Sequence, residues 1–532
     1  MSSEPESTRL EPVRRQCDRC SRMLWVQKTR KRFITTLAGP IEASIVTRHC
    51  PDHKDMVSRP KNDISPPKSI YGYDVIAETG RLRFIENKQV REIHQQFLER
   101  GIHIPERTIY DLCDRFLLYV TAVHREGHPA ISRLLKKRGG YVLHVDSSGH
   151  HGPMILLLRD SWSGVRLHAA PIRSEAAEWV IPHLQEVKVR FGDPLAIVRD
   201  MSKGFKAAIE TIFPGVYVIV CHYHFLQAVG MRLFEPYYPR FRGRIDRRGV
   251  KKRLRSLQRT LQRRAQKNEE ESLALSIVED ILAYPKDGKG LGYPFSLPNV
   301  DFYRRCLDAS VIVRKAIMDQ ARNNIHSPIL SHLEDSLRLL SPPPAVLGRL
   351  HADYEDLERR WSWFQRIRKV LRYRNGPIPL STRVHLSDRD LEKGRLKLDW
   401  LLCKIEEVER IGNVDGHTRS LRKDLRKLAT LIKEHRHELF APNVKIVANG
   451  RTAIRKLPRT NEPVETDFRM ARRHLRRIRG NSDVEPQFQR EGAGLLIAHN
   501  LRHREYVRMV YGTLGQMAAR FAKVSQDSPT PI

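Results

Sequence analysis

Between Tyr141 and His224, three short apolar runs each end in a polar or ionisable residue. Tyr-Val-Leu-His-Val leads into Asp146, Leu-Ala-Ile-Val-Arg into Asp200, and Tyr-Val-Ile-Val into Cys221-His-Tyr-His224. Short, β-branched-rich runs bounded by turn residues read as buried strands. In an α/β sheet, the carboxyl ends of the strands are where ligands bind. Two more strands are expected at Met154–Arg159 and Val165–Ala169. Gly152, Ser163 and Gly164 between them predict antiparallel hairpins. Ser174–Arg190 has a helical pattern with Ala177, Val180, Ile181, Leu184 and Val187 inward. Pro182 inside it predicts a kink or break. Ala196–Arg199 is the fourth strand, Phe205–Phe213 a helix and Tyr217–Val220 the fifth strand, with a helix from about His222.

Three strands, helix, strand, helix, strand is the order of the ribonuclease H-like fold. In that fold an acid on the first strand, one after the fourth and one from a later helix come together. Asp146 and Asp200 fit the first two positions. The third is expected in Thr460-Asn461-Glu-Pro-Val-Glu465, where Thr460 or Asn461 can cap a helix and Pro463 suits its first turn. Glu465 is the candidate, with Glu462 and Glu485 as alternatives. Three converging carboxylates can hold two divalent ions about 3.5–4 Å apart, and all-oxygen ligands suit Mg²⁺ or Mn²⁺. The corresponding chemistry is in-line phosphoryl transfer on a nucleic-acid backbone. Arg199, Lys203 and Lys206 flank Asp200, and an arginine run including Arg472, Arg473 and Arg476 follows Glu465. These cations are expected to meet phosphates.

The N-terminal part carries a different pattern. Cys17-Asp-Arg-Cys20 and Cys50-Pro-Asp-His53 each space two ligand types by two residues, as zinc knuckles require. Cys17, Cys20, Cys50 and His53 are the expected Zn²⁺ ligands, with His49 competing for the fourth place. Leu24–Val26, Phe33–Leu37 and Ser44–Thr47 read as short strands of a zinc-ribbon-like module. After a Pro-containing linker, Asn87–Arg100 and a helix opened by Pro105 form a helix-turn-helix pattern. Its groove-facing residues are expected to be Arg107, Thr108 and Tyr110.

Lys plus Arg number 95 against 61 acids, a formal charge of +34. Such an excess points to a polyanion, here nucleic acid. No run of about eighteen apolar residues offers a membrane span. The polar N-terminus is unlike a secretory signal, and seven cysteines, sparse after residue 50, suit a reducing compartment. The expected architecture is multidomain α+β. It comprises a disordered tail (1–16), the zinc-binding module (17–57), the helix-turn-helix domain (70–135), a ribonuclease H-like α/β core in two parts (138–230 and 446–520), an α-helical insertion between them (231–445) and a polar tail (521–532). Leu421, Leu425, Leu428 and Ile432 predict helix-on-helix packing in the insertion. Pro342–Pro344 and Pro377–Pro379 predict breaks in it.

Asp146-Ser-Ser-Gly149, Arg199-Asp200-Met-Ser-Lys-Gly204, Cys221-x-x-His224 and Asn461-x-x-x-Glu465 together resemble the DDE transposases, closest to the bacterial insertion-sequence and Mutator-like groups. The resemblance implies a catalytic Asp146, Asp200 and Glu465 triad binding Mg²⁺, with Cys221 and His224 as a structural motif. It further implies that the zinc module and helix-turn-helix recognise terminal inverted repeats. The partners would be double-stranded DNA, as transposon ends and target, and further copies of the chain in a synaptic complex. The location would be the bacterial cytoplasm, at the nucleoid. A transposase-derived regulator and a nuclease of the same fold are the alternatives.

Overall fold

The computed structural model describes residues 6–149, 152–264, 268–283, 292–323, 326–340, 348–372, 386–410, 416–448 and 450–527. The two proline clusters expected to break the helical stretch lie outside the described residues. The chain divides into two compact units. One contains Met1–Val218, Val444–Arg455 and Asn461–Ile532, the other Ile219–Asn443 and Lys456–Thr460.

The first unit begins with a small sheet. β1 (Glu6–Leu10) runs parallel to β3 (Gly39–His49), which pairs antiparallel with β2 (Trp25–Thr36) and with β4 (Val57–Ser58). Residues 6–10 are therefore a strand and not part of the expected disordered tail. Their backbone groups are satisfied along the otherwise open edge of β3. The short strands expected around Trp25, Phe33 and Val46 are parts of one long hairpin.

Next come α1 (Tyr73–Gly80), α2 (Val90–Glu99), α3 (Glu106–Glu126) and α4 (His128–Lys137). Glu92 accepts the Gln89 N–H at 2.6 Å and closes a capping box at the start of α2. α3 buries Ile109, Leu112, Phe116, Val120 and Val123, positions that recur at helical spacing. This stripe does not close a free-standing helical domain. It belongs to one hydrophobic core that continues into the large sheet and the C-terminal helices. His124 ties the layers together, its two ring nitrogens meeting the Tyr506 hydroxyl at 2.9 Å and the Leu167 carbonyl at 3.0 Å.

The large sheet has the order β7-β6-β5-β8-β9, with β5 Val142–Ser148, β6 Met154–Asp160, β7 Arg166–Ile172, β8 Ala196–Arg199 and β9 Tyr217–Val220. β5, β6 and β7 form the expected antiparallel meander, and β5 pairs parallel with β8. Asp160 builds the β6–β7 turn by accepting the N–H groups of Trp162 and Ser163 at 3.2 and 2.7 Å. α5 (Ala177–Phe191) joins β7 to β8, and α6 (Lys203–Ile212) joins β8 to β9. α5 runs through Pro182 without the expected break. Proline removes only the bond to the Glu178 carbonyl, near the helix start, and buried Val180, Leu184 and Val187 hold both sides of it.

The second unit is helical. It contains α7 (His222–Phe234), α8 (Tyr237–Arg247), α9 (Val250–Arg263), α10 (Glu269–Leu282), α11 (Pro298–Arg322), α12 (Pro328–Arg338), α13 (Arg349–Val370), α14 (Asp388–Arg410) and α15 (Gly416–Leu439). Leu421, Leu425, Leu428 and Ile432 are buried, as their spacing predicts. Arg360 sits fully buried at the centre. It binds Asp356 and Asp424, each at 2.8 Å, and the Leu233 carbonyl at 3.0 Å, and it lies 3.6 Å over the Tyr237 ring.

The chain re-enters the first unit with the hairpin β10 (Val444–Ala448) and β11 (Arg451–Arg455). It ends with α16 (Glu462–Arg479), α17 (Glu485–Ala498), α18 (Arg504–Val510) and α19 (Met517–Asp527). α16 starts directly after Asn461, as its capping pattern predicts. Residues 521–527 are helical rather than a polar tail, because Phe521 stacks on Tyr119 in the core with ring centroids 5.1 Å apart.

Candidate functional site

The register between β5 and β8 sets Val145 against Arg199. The next residue on each strand is an acid, so Asp146 and Asp200 emerge on adjacent strands that lie about 4.8 Å apart. Asp146 is buried and Asp200 half-buried. Each carboxylate accepts a nearby backbone N–H, Ser147 to Asp146 at 2.9 Å and Ser202 to Asp200 at 2.8 Å. Ser202 also caps α6, so the turn that orients Asp200 starts the helix carrying the exposed Lys203.

Asn461 ties α16 to the same strand. Its side-chain amide donates to the Val145 carbonyl at 2.8 Å, and its oxygen lies 2.8 Å from His144 Nδ1. With the Asn461 oxygen as acceptor, His144 carries its proton on Nδ1. Burial pushes the His144 pKa down to about 4, so the ring is neutral near pH 7. The Glu465 N–H bonds to the Asn461 carbonyl at 3.2 Å. Glu465 thus stands in the first turn of a helix whose cap is bound to the residue before Asp146. Farther along, Asp467 is buried and binds Arg159 at 3.0 Å and Arg166 at 2.5 Å, which locks the helix to β6 and β7.

Of the alternatives for the third acid, Glu485 forms a two-pronged ion pair with Arg472 at 3.0 and 3.2 Å. Arg472 also donates to the Ser148 hydroxyl at 3.0 Å and lies 4.0 Å over the Phe488 ring. Arg472 was expected to grip a phosphate. It is instead an internal strut, because a carboxylate and an aromatic ring flank it on the folded helix pair. Arg473 and Arg476 are exposed, as is Arg469 earlier on the same helix. Glu462 occupies the first position of α16.

Sequence reasoning missed Glu175. Its carboxylate accepts the Ser147 hydroxyl at 2.7 Å, beside Asp146. Its carbonyl oxygen would lie 1.8 Å from a Cβ at position 204. Only glycine fits there, so Gly204 lets the β7–α5 turn close over the start of α6. No local pattern marks such a contact. Cys221 and His224, the structural motif, fall at the start of α7, with Cys221 buried and His224 half-buried.

Cys17, Cys20, Cys50 and His53 converge, with one ligand atom from each within 4.8 Å of all the others. Cys20 and Cys50 sulfurs are 3.6 Å apart, and His53 Nδ1 is 3.7 Å from both Cys17 and Cys50. Zn–S bonds of about 2.3 Å at tetrahedral angles separate sulfurs by about 3.8 Å. The donor set and its spacing therefore fit zinc. Burial pushes the Cys17 thiol up, but the Arg19 and Cys20 N–H groups and the neighbouring Cys50 and Cys20 outweigh it and bring it down to about 6. His49, the competing ligand, lies on β3 opposite Val57 and outside this group.

At the start of α3, Arg107 is exposed. Thr108 is half-buried, and the Tyr110 ring has the Arg83 guanidinium at 5.9 Å and that of Arg479 at 5.1 Å. A second exposed cationic surface lies on β2, where Lys28 and Arg30 share a face with Trp25, 64% exposed, while Lys31, paired with Glu42 at 2.9 Å, and Phe33 lie on the opposite face.

No protein-family model matches the chain, and no curated protein matches its sequence.

Proposed function

We propose that the chain is a DDE-type transposase with a ribonuclease H-like catalytic core. The observation that carries this reading is the β5–β8 register, which sets Asp146 beside Asp200, joined to the Asn461 anchor that ties the Glu465 turn to β5. The sheet order β7-β6-β5-β8-β9 supports it, because an antiparallel meander followed by parallel β8 is what that core requires.

Asp146, Asp200 and Glu465 are the residues that would hold Mg²⁺ or Mn²⁺, and their donors are all carboxylate oxygens. When bound, such ions activate an attacking water or 3′-hydroxyl and stabilise the leaving oxygen. The chain's own groups do the positioning. Ser147 and Ser202 N–H groups orient the two aspartates, and neutral His144 with Asn461 holds the helix of the third acid. Exposed Lys203, Arg473 and Arg476 offer charge to flanking phosphates. Arg107 and the β2 surface offer contacts to duplex DNA, and zinc at Cys17, Cys20, Cys50 and His53 would brace the module that carries β2.

Asp146→Asn and Asp200→Asn are each expected to abolish metal-dependent cleavage and joining of a duplex carrying the element's ends, with DNA binding retained. Full activity in either variant sinks the mechanism. Cleaved but unjoined product would leave a nuclease of the same fold, and binding without cleavage by the unaltered chain would leave a regulator.

A further inference from the structure

The second unit carries a cationic cleft that the carboxylate site does not use. α8 ends at Arg247 and α9 begins after Gly249, and the bend between them encloses a cleft of about 390 Å³. Ile245, Asp246, Gly249, Lys251, Lys252, Arg255 and Arg259 line it. Val250, Leu254 and Leu261 bury the opposite face of α9, so the helix is held in place while its cations face outward. Lys251 is engaged with Asp246 at 3.6 Å and with Asn299. Lys252, Arg255 and Arg259 are exposed, and among the described residues no carboxylate pairs with any of them.

Three such cations at i, i+3 and i+7 follow one stripe of the helix. Their Cα atoms span about 10 Å along its axis at 1.5 Å per residue. Phosphates recur every 3.4 Å of axis along a duplex strand, so a stripe of this length can meet more than one of them. Long cationic side chains held together without acidic partners repel one another unless an anion lies between them. Two of the three are arginines, whose forked donors match phosphate oxygens. Asp246 at the rim is offset by its pairing with Lys251, so the charge left along the stripe is that of Lys252, Arg255 and Arg259, which suits an extended polyanion.

We infer that the α8–α9 cleft binds the phosphate backbone of duplex DNA, without regard to sequence, through Lys252, Arg255 and Arg259. This surface lies wholly within the helical unit. It adds a non-catalytic DNA contact to the proposed function and depends on the chain's meeting DNA, not on its cutting it.

The test uses the full chain and short duplexes of unrelated sequence, with binding measured against salt concentration. Each neutralised phosphate contributes about 0.9 to the slope of log K on log salt. The triple variant Lys252→Ala, Arg255→Ala, Arg259→Ala is expected to lower that slope by about two to three, equally for every sequence. The swap Lys252→Arg, Arg255→Lys, Arg259→Lys is expected to keep it, with circular dichroism confirming that both variants fold. An unchanged slope in the alanine variant overturns the inference. So does a result in which that variant loses only tripolyphosphate binding, which would make the cleft a small-anion site. Cleavage is read separately with Asp146→Asn, which is expected to leave the slope intact. A chain that shows the slope dependence but never cleaves keeps the cleft and loses the transposase reading. A chain that cleaves with an unchanged slope in the alanine variant does the reverse.

Discussion

At the scale of single residues, the second unit contains a buried cation whose partners cannot lose it without cost. Arg360 answers both Asp356 and Asp424 in the second unit. Arg360→Leu would leave two carboxylates buried without their cation, a loss of about 3–5 kcal/mol. Urea unfolding followed by circular dichroism should show the midpoint fall accordingly. In the first unit, Gly80 packs so close to α3 that a Cβ would lie 1.9 Å from the Phe116 ring. Gly80→Ala therefore forces apart a packed helix pair and should lower the melting temperature, whereas Gly243→Ala, within α8 where a Cβ has open space, should not. Gly204→Ala acts nearer the site. It pushes the Glu175 carbonyl away from α6, and activity should fall more than DNA binding does.

At the scale of elements, the N-terminal sheet has little apolar core of its own. At its ligand end, Cys17, Leu24 and Cys50 are the buried cluster, with Cys20 and Met56 packed against them, apart from Ile34, Ala43 and Val46 buried farther along the hairpin. A cluster this small needs a metal to hold it. The expected content is one zinc per chain by elemental analysis. Chelation should loosen β1–β4 and change the fluorescence of Trp25, while the large sheet keeps its circular dichroism signal. Cys50→Ser should reproduce the effect, and a full zinc content in that variant would assign the ligand set wrongly. Helix α16 shows how one element divides its charge. Its phosphate-gripping candidates share one sequence run, yet Arg472 and Arg479 turn inward to Glu485 and Glu491 while Arg473 and Arg476 stay outside. Arg473→Ala and Arg476→Ala should weaken DNA binding without destabilising the fold, and Arg472→Ala should do the opposite.

At the scale of the whole molecule, the charge of +34 predicts that the proposed affinity for DNA falls steeply with salt, and the buried histidines make stability pH-dependent. Burial lowers His124, His144 and His222 to about 4. Between pH 6.5 and 4 the unfolded chain binds these protons and the folded chain does not. Stability is therefore full above about pH 6.5 and is lost as the pH falls, by up to about 1.4 kcal/mol per unit for each ring. Melting temperatures across that window should decline steadily on the acid side, and a flat profile would show that these rings titrate freely. Much of this architecture was legible in the residues. The strands Ala196–Arg199 and Tyr217–Val220, the helical stretch of the second unit and the Cys17, Cys20, Cys50 and His53 set follow from periodicity and ligand spacing, which act over a few residues. Pairing register, the partner chosen by each arginine and the backbone approach at Gly204 depend on which distant segments the fold brings together, 13 positions apart for Arg472 and Glu485 and 316 for Asn461 and Val145. A slip of one residue in β8 would turn Asp200 to the other face of the sheet, away from Asp146. The sequence by itself determined that acids stand at the ends of buried strands. Only the tertiary structure decided that two of them are neighbours, because burying both faces of β5 and β8 leaves a single register that satisfies the core.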